Sequence, residues 1–487
     1  MAERAPGQLP TDLVAAVEHA AAAWPDRPAW TFEAADGSTT VLTFAEVAQR
    51  TAAYAAGLRA LGVAPGDHVA VMVGNEPGFP LTWLALARLG AAIVPLNVRY
   101  RSADAQHLVD DAGVRLAVTT AEHRGVLDGL ARPPRVVLLD ELAAGHESPA
   151  AYEQGPVDRE AVVNVQYTSG TTGRPKGCLL THEYWTTLGG SMLSEFPHLT
   201  RDDVMLTAQP FHYVDPQWNV VAALLSGAHL VVLDGFHPST FWERVRAHGV
   251  TYFYCLASMP VLLHKMPPDP ADRDHRVRAV QCSAIPPSLH ARLEERWGVG
   301  WYEAFGMTET GADIRVTAED HDVLVGTGSL GRPAGHRQAR VVDGELWLRG
   351  PGMMTGYLGH SSPFRDGWFP TGDLARIDED GRVFLQGRLK DMIRRSGENV
   401  AAHEVEEVLM SHPEVRLAAV VGVPDEVRGE EVMAYVVAPG LPEADVPAVL
   451  GSWCSERLAA FKVPSRWAVR AELPLTASHR VAKAQLA

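Results

Sequence analysis

The 487-residue sequence has few cysteines, fewer basic than acidic residues and no long apolar run. Its four cysteines (Cys178, Cys255, Cys282 and Cys454) are scattered. No pair has zinc-ligand spacing and no disulfide framework is suggested, so reduced thiols in a cytoplasmic setting are expected. No stretch approaches the roughly 18 apolar residues that a membrane span needs. The opening Met-Ala-Glu-Arg-Ala-Pro lacks the basic-then-apolar pattern of a secretory signal. Lys and Arg number 43 against 59 Asp and Glu, a formal charge of −16. That balance argues against nucleic acid or an anionic membrane as main partner. Repeats and low-complexity segments are missing apart from the alanines. One dinucleotide-like spacing occurs, Gly326-Thr-Gly328-Ser-Leu-Gly331, but Pro333 follows at once, so a helix cannot readily begin there.

What remains is an ordinary globular composition, 46% hydrophobic and 21% charged, in a chain long enough for two to four units. Periodicity predicts alternating helices and strands. Thr11 opens a helix through Leu13, Val14 and Val17, and Thr43 with Glu46 forms a capping box for a second, ending near Gly62. Strands are expected at 69–73, 92–96, 116–118, 136–139, 229–233, 251–255 and 277–282, with helices at 81–89, 104–112, 218–226, 240–248 and 287–297. This alternation predicts parallel α/β layers. From about Val323 short alternating segments with many glycines predict a small antiparallel sheet or barrel. From Lys390 a small α+β unit is expected, with helices at 403–410 and 446–459 and strands at 418–423 and 432–437.

The chemistry centres on Tyr167-Thr-Ser-Gly-Thr-Thr-Gly-Arg-Pro-Lys-Gly177, which follows an apolar strand at 161–165. Its glycines allow close backbone approach, and Thr168, Ser169, Thr171, Thr172 and Lys176 supply hydroxyl donors and a cation. That inventory suits a polyphosphate. The stretch is not a Walker A loop, because Pro175 stands where that pattern needs glycine. Ala304-Phe-Gly-Met-Thr-Glu-Thr310 places a hydroxyl and a carboxylate after a candidate strand, a pairing that suits a phosphate donor and a Mg²⁺ ligand. Thr371-Gly-Asp373 and Gly387-Arg-Leu-Lys-Asp391 offer a carboxylate and a guanidinium for ribose hydroxyls.

Taken in order, these stretches resemble the signatures of the adenylate-forming enzymes: acyl- and aryl-CoA ligases, free-standing adenylation domains and luciferases. The resemblance implies a two-domain α/β fold. Residues 1–389 would be a large AMP-binding domain of two α/β subdomains and a β-barrel-like one. Residues 390–487 would be a mobile small α+β domain that turns about Lys390. It implies ATP and Mg²⁺, with CoA as the acceptor. Lys176 and the loop Thr168, Ser169, Gly170, Thr171, Thr172 and Gly173 would hold the polyphosphate, Thr308 the α-phosphate and Glu309 the metal. Ser283, Ala284, Phe305, Gly306 and Met307 would lie beside adenine, with Asp373 and Arg388 on the ribose. Gly397, in Arg394-Arg-Ser-Gly-Glu-Asn-Val400, would line the thiol tunnel, with Asn399 capping the helix that follows. In Pro210-Phe-His-Tyr213, His212 would gate between acyl pocket and tunnel, or simply pack. Tyr213, Asp215, Trp218, Ser258 and Met259 are candidate pocket residues. Asp215 either meets a cationic group or caps a helix, the cap being slightly preferred.

The tail departs from the family pattern. Leu473-Pro-Leu-Thr-Ala-Ser-His-Arg-Val-Ala-Lys483 aligns His479 with the usual Gly and Arg480 with the catalytic Lys. Arg keeps the charge but has a wider fork, so slower adenylation is expected. Lys483 substitutes only if the tail shifts by three residues. The reading is ATP-dependent activation of a small-molecule carboxylic acid, then transfer to CoA. The alternatives keep adenylation and change the oxyanion or acceptor, as in a nitrite-using diazotase of an aromatic amine or loading of a carrier protein. A non-catalytic ATP-binding relative is a third.

Overall fold

The computed structural model describes residues 9–143, 157–168, 175–256, 258–396, 398–425, 427–475 and 481–486. Among these, three sheets organise the chain. The first has six strands in the order Arg135–Leu138, Leu116–Thr119, His68–Met72, Ala92–Pro95, Val162–Thr168, Lys176–Thr181. All neighbours are parallel except the last pair, an antiparallel hairpin at the sheet edge. The second sheet has thirteen strands. Its parallel part runs from Pro28–Glu33 to Trp301–Met307, and the latter pairs in parallel with Ala279–Ser283 on one side and antiparallel with Gly311–Arg315 on the other. The antiparallel unit expected after Val323 is therefore present, joined edge to edge with the α/β sheet. The third sheet has five strands and lies wholly within residues 392–469.

Local chemistry explains the elements. Thr43 Oγ1 accepts from Glu46 N (3.2 Å), and Glu46 accepts from Thr43 N (2.8 Å), starting the helix Phe44–Ala60. Pro287 opens Pro287–Trp297, and Gly298 ends it at φ 70°, the left-handed conformation glycine tolerates. The apolar strands are buried on both faces, as parallel strands between helices must be. Trp83, Trp185 and Tyr184 join helices beneath both large sheets in one core. The small domain has its own core around Ile393, Val405, Leu409, Val432 and Leu450. No described helix is long and apolar enough to cross a membrane.

Some boundaries differ from expectation. The first helix is capped by Asp12, whose carboxylate accepts from Ala15 N at 2.7 Å, and not by Thr11. The helix from Val446 stops at Ser455, and Leu458, Phe461 and Val463 turn back onto the small core. Asn399 lies in the strand Glu398–Ala401, and Ala401 holds the cap position of Ala402–Met410. The Gly326–Gly331 segment leads into the strand Ser329–Pro333 and opens no helix.

Candidate active site

Three hairpin ends meet between the two large sheets. In the first, an antiparallel pair, Thr168 stands opposite Lys176 and Tyr167 opposite Gly177. A Cβ on Gly177 would lie 2.7 Å from Val165, so this glycine allows the two strands to close. The base is pinned from the helix Ser102–Asp111: Tyr167 Oη donates to Asp111 Oδ2 at 2.6 Å, and His107 Nε2 lies 3.3 Å from Pro175 O. Ser169, Gly170, Thr171, Thr172 and Gly173 lie outside the described residues.

The second hairpin joins Trp301–Met307 to Gly311–Arg315 and carries Thr308 and Glu309 in its turn. Gly306 is required here, since a side chain would collide with the carbonyl of Gly311. A buried ion pair holds the turn from below. Arg337 Nε donates to Asp313 Oδ1 (2.7 Å), Thr310 Oγ1 donates to the other oxygen, and the guanidinium also reaches the carbonyls of Thr310, Pro351 and Gly352. With all three guanidinium nitrogens and both carboxylate oxygens engaged, this is the geometry in which a buried pair offsets its desolvation. Glu309 is held above: its Oε1 accepts from Tyr357 Oη at 2.9 Å. Burial raises the Glu309 pKa, Asp373 adds to the rise, and Arg388 opposes it. The Cys178 thiol, on the first hairpin, is raised by burial and by the Glu309 charge, which places that carboxylate beside this hairpin.

The third hairpin, Phe369–Ile377 with Val383–Arg388, sets Asp373 directly across from Arg388. Arg388 Nε donates to Asp373 Oδ1 at 2.8 Å. Gly372, at φ 75°, gives its N–H to Glu345 Oε1 (2.8 Å) and presents the following carboxylate inward.

Ser283 and Ala284 lie where Ala279–Ser283 ends, beside the strand that carries Phe305, Gly306 and Met307. Ser283 Oγ donates to Ala304 O and shares a hydrogen bond with Tyr254 Oη. Ala284 adopts φ 69°, an uncommon conformation for a residue with Cβ. Glu303 holds it there, accepting from Ala284 N (2.6 Å) and Ile285 N (2.8 Å). Full burial pushes Glu303 up to about 8, against those two hydrogen bonds.

The side expected to take the acyl group is built differently. Phe211 stacks on Phe79 at 5.1 Å, and Asn75 fixes its backbone by accepting from Phe211 N (3.1 Å) and donating to the carbonyls of Gln209 and Leu233. Gln166 donates to His212 O, and Gln217 to the carbonyls of Phe211 and Tyr213. The loop is therefore rigid. His212 is buried against Tyr213, its rings 4.4 Å apart, and burial lowers it to about 3, so the imidazole is neutral near pH 7. Its Nε2 finds no partner among the described residues.

Asp215 does not cap the helix Val214–Ser226. Tyr213 holds the cap position, and the Asp215 carboxylate accepts from Trp218 Nε1 (3.1 Å) and Thr207 Oγ1 (3.2 Å). Its position inside the first turn aims it at the residue three ahead and not at the free amides. Burial raises Asp215 to about 7, although both hydrogen bonds oppose the shift. Trp218 meets Tyr254 edge-on at 5.9 Å, and Met259 Sδ accepts from Gln209 Nε2 (2.8 Å). Ser258 precedes the helix Met259–His264.

A single turn, Leu389–Asp391, separates the last strand of the thirteen-stranded sheet from the small domain. Lys265 Nζ donates to Val415 O across the boundary at 2.7 Å. Gly397 and Arg480 lie outside the described residues. Lys483, the alternative tail cation, is engaged by Glu406 at 2.6 Å.

Several supports of the candidate site lie outside the motifs legible in the sequence: Tyr357, the Asp313–Arg337 pair, Glu303 and Asn75. Only Tyr357 had a cue, an aromatic beside a glycine after a Pro-Gly turn. His290, Glu294 and His321 form a ligand-like cluster. Both His290 nitrogens are committed to backbone, Nδ1 to Gly326 N and Nε2 to Trp301 O, so the cluster reads as structural.

Comparisons with known proteins agree with this geometry. The family described as AMP-binding enzyme matches residues 17–358, and the AMP-binding enzyme C-terminal domain matches 404–480. A feruloyl-CoA synthase of Amycolatopsis sp is 34% identical over 92% of this chain and 94% of its own. A 2-succinylbenzoate–CoA ligase of Geobacillus kaustophilus is 33% identical, covering 93% of each. The solved o-succinylbenzoate CoA synthetase of Bacillus subtilis, in complex with its acyl-adenylate intermediate, superposes with TM-score 0.83 at 26% identity, covering 97% of each chain.

Proposed function

Because the chain belongs to the AMP-binding enzyme family, we propose that it is an ATP-dependent acid–thiol ligase. It joins a small carboxylic acid to CoA by way of an acyl-adenylate. The observation that carries this reading is the convergence of Lys176, Glu309 and the Asp373–Arg388 pair from three separate hairpins. Sites that cleave ATP between the α- and β-phosphates need a cation for the leaving pyrophosphate, a metal carboxylate and a ribose anchor held together.

In the first half-reaction a carboxylate oxygen attacks the α-phosphorus, the bond to the β-phosphate oxygen breaks, and pyrophosphate leaves. Lys176 and the Thr168–Gly173 loop carry the charge of the departing group. Thr308 donates to the α-phosphate. Asp373 accepts from the ribose hydroxyls, oriented by Arg388. Phe305 flanks adenine, with the backbone near Ser283 and Ala284 along its edge.

The residues present fit a magnesium ion. Glu309 is a carboxylate that burial disfavours as an anion, and Mg²⁺ is a hard cation that takes few carboxylates plus phosphate oxygens. Bound there, it would neutralise phosphate charge. In the second half-reaction the CoA thiolate attacks the acyl carbon and AMP leaves. Neutral His212 stands between the two compartments, and the small domain turns about Lys390 to bring Gly397 to the thiol tunnel.

The test is pyrophosphate release with ATP across a panel of aliphatic and aromatic acids, with thioester and AMP assayed together. Acid-dependent pyrophosphate followed by CoA-dependent thioester supports the assignment, and release of ADP and orthophosphate overturns it.

A further inference from the structure

The strand Lys176–Thr181 is the last in its sheet, yet its outer side is paired. Residues 355–358 lie along it: Leu179 N donates to Gly356 O (3.0 Å), Thr355 N to Leu179 O (3.0 Å) and Leu358 N to Gly177 O (2.8 Å). Cys178 and Tyr357 form an antiparallel bridge. The same segment reaches the second hairpin, where Met354 N donates to Glu309 O at 2.9 Å. One short strap thus stitches the phosphate hairpin to the Thr308–Glu309 turn, which come from different sheets.

Tyr357 makes that link with its side chain. Its hydroxyl donates to Glu309 Oε1 at 2.9 Å, and the Lys176 ammonium sits 5.3 Å from its ring centroid. A ring face attracts a cation at that range, and a hydroxyl donating to a carboxylate makes a charge-assisted bond. The phenol is half-buried, and burial with the Glu309 charge raises its pKa, so it remains a donor.

We propose that Tyr357 is a positioning residue that sets the Glu309 carboxylate and the Lys176 ammonium at a fixed separation across the polyphosphate site. The proposal rests on the reading that Glu309 holds the metal. Tyr357 fixes one carboxylate oxygen by donation, so the other is presented to the cation in one orientation. The ring keeps the lysine stem from folding back onto that carboxylate, which would spend both charges on each other instead of on phosphate. Loss of the hydroxyl frees the carboxylate to rotate. Loss of the ring also frees the lysine.

The test is calorimetric binding of a non-hydrolysable ATP analogue with and without Mg²⁺, and Mn²⁺ binding by electron paramagnetic resonance. Wild type, Tyr357→Phe, Tyr357→Leu and Glu309→Gln are compared. Tyr357→Phe is expected to weaken metal-dependent nucleotide binding about tenfold, with metal-free binding and melting temperature unchanged. Tyr357→Leu is expected to weaken metal-free binding as well. The proposal is overturned if Tyr357→Phe binds metal and nucleotide like wild type while Glu309→Gln does not. If Glu309→Gln keeps wild-type metal dependence, the assignment of Glu309 fails and the role of Tyr357 falls with it.

Discussion

The two sides of the candidate site, the one proposed for the nucleotide and the one proposed for the acyl group, are held by opposite means. On the nucleotide side charges face one another: Arg337 meets Asp313, Arg388 meets Asp373, and Glu309 takes a hydroxyl from Tyr357. On the other side burial pushes the ionisable groups towards their neutral forms, His212 downward and Asp215 up to about 7. A polyphosphate brings several charges and needs fixed dipoles and cations to receive them. In the proposed reaction a wall of buried side chains would instead keep water from the reactive acyl-adenylate. The two halves should therefore respond to different perturbations.

The largest expected effect is on the nucleotide side. Asp313→Ala leaves Arg337 buried without its partner, a loss of about 3–5 kcal/mol for a broken buried pair. Denaturant unfolding of the large domain measures it, and pyrophosphate release should fall with it because the Thr308–Glu309 turn loses its floor. An unchanged midpoint would show that the charges do not organise this half. Next, Lys176→Ala should lower the rate of pyrophosphate release about a hundredfold, the scale of removing one preorganised charge stabiliser. Arg480→Ala should slow adenylation about tenfold and leave CoA transfer from preformed acyl-adenylate intact. Equal loss in both half-reactions would remove that tail arginine from the adenylation step.

The smallest effect is on the acyl side and sharpens the contrast by its sign. Asp215 rises from 3.8 to about 7 on folding, so the folded state binds the proton more tightly than the unfolded one. Its contribution to stability is fully present below pH 3.8 and is lost as pH rises towards 7. Asp215→Asn should therefore gain stability relative to wild type across that window and show no further change above it. Unfolding midpoints at a series of pH values decide this. A difference that grows as pH falls would mean that the carboxylate is charged and paired.

The same contrast governs what the sequence made legible. The nucleotide half is written in short contiguous stretches, because each hairpin end delivers its groups from consecutive residues such as Thr308 and Glu309. The acyl half is assembled from residues far apart in the chain. Asn75 meets Phe211 across 136 positions, so no local pattern announces it. Tyr357 and Glu303 act on partners outside their own stretches, Glu309 for the first and the amides of Ala284 and Ile285 for the second, so consecutive residues do not reveal them either. Asp215 was assigned to the wrong donors because one residue of helix register decides whether a carboxylate faces free amides or a side chain one turn on. Thr181 ends the strand Lys176–Thr181 and also caps the helix His182–Ser194, so one residue carries the signals of two elements. The alternation of helices and strands was readable because apolar runs bounded by glycine and proline report burial directly.

The most direct test of the central claim is a two-stage assay on the full chain. Incubation with ATP, Mg²⁺ and each acid of the panel, without CoA, is followed by addition of CoA. The account predicts acid-dependent pyrophosphate in the first stage and, with the same acid, thioester and AMP in the second. Pyrophosphate released only with nitrite and an aromatic amine, or with none of the acids, would contradict it.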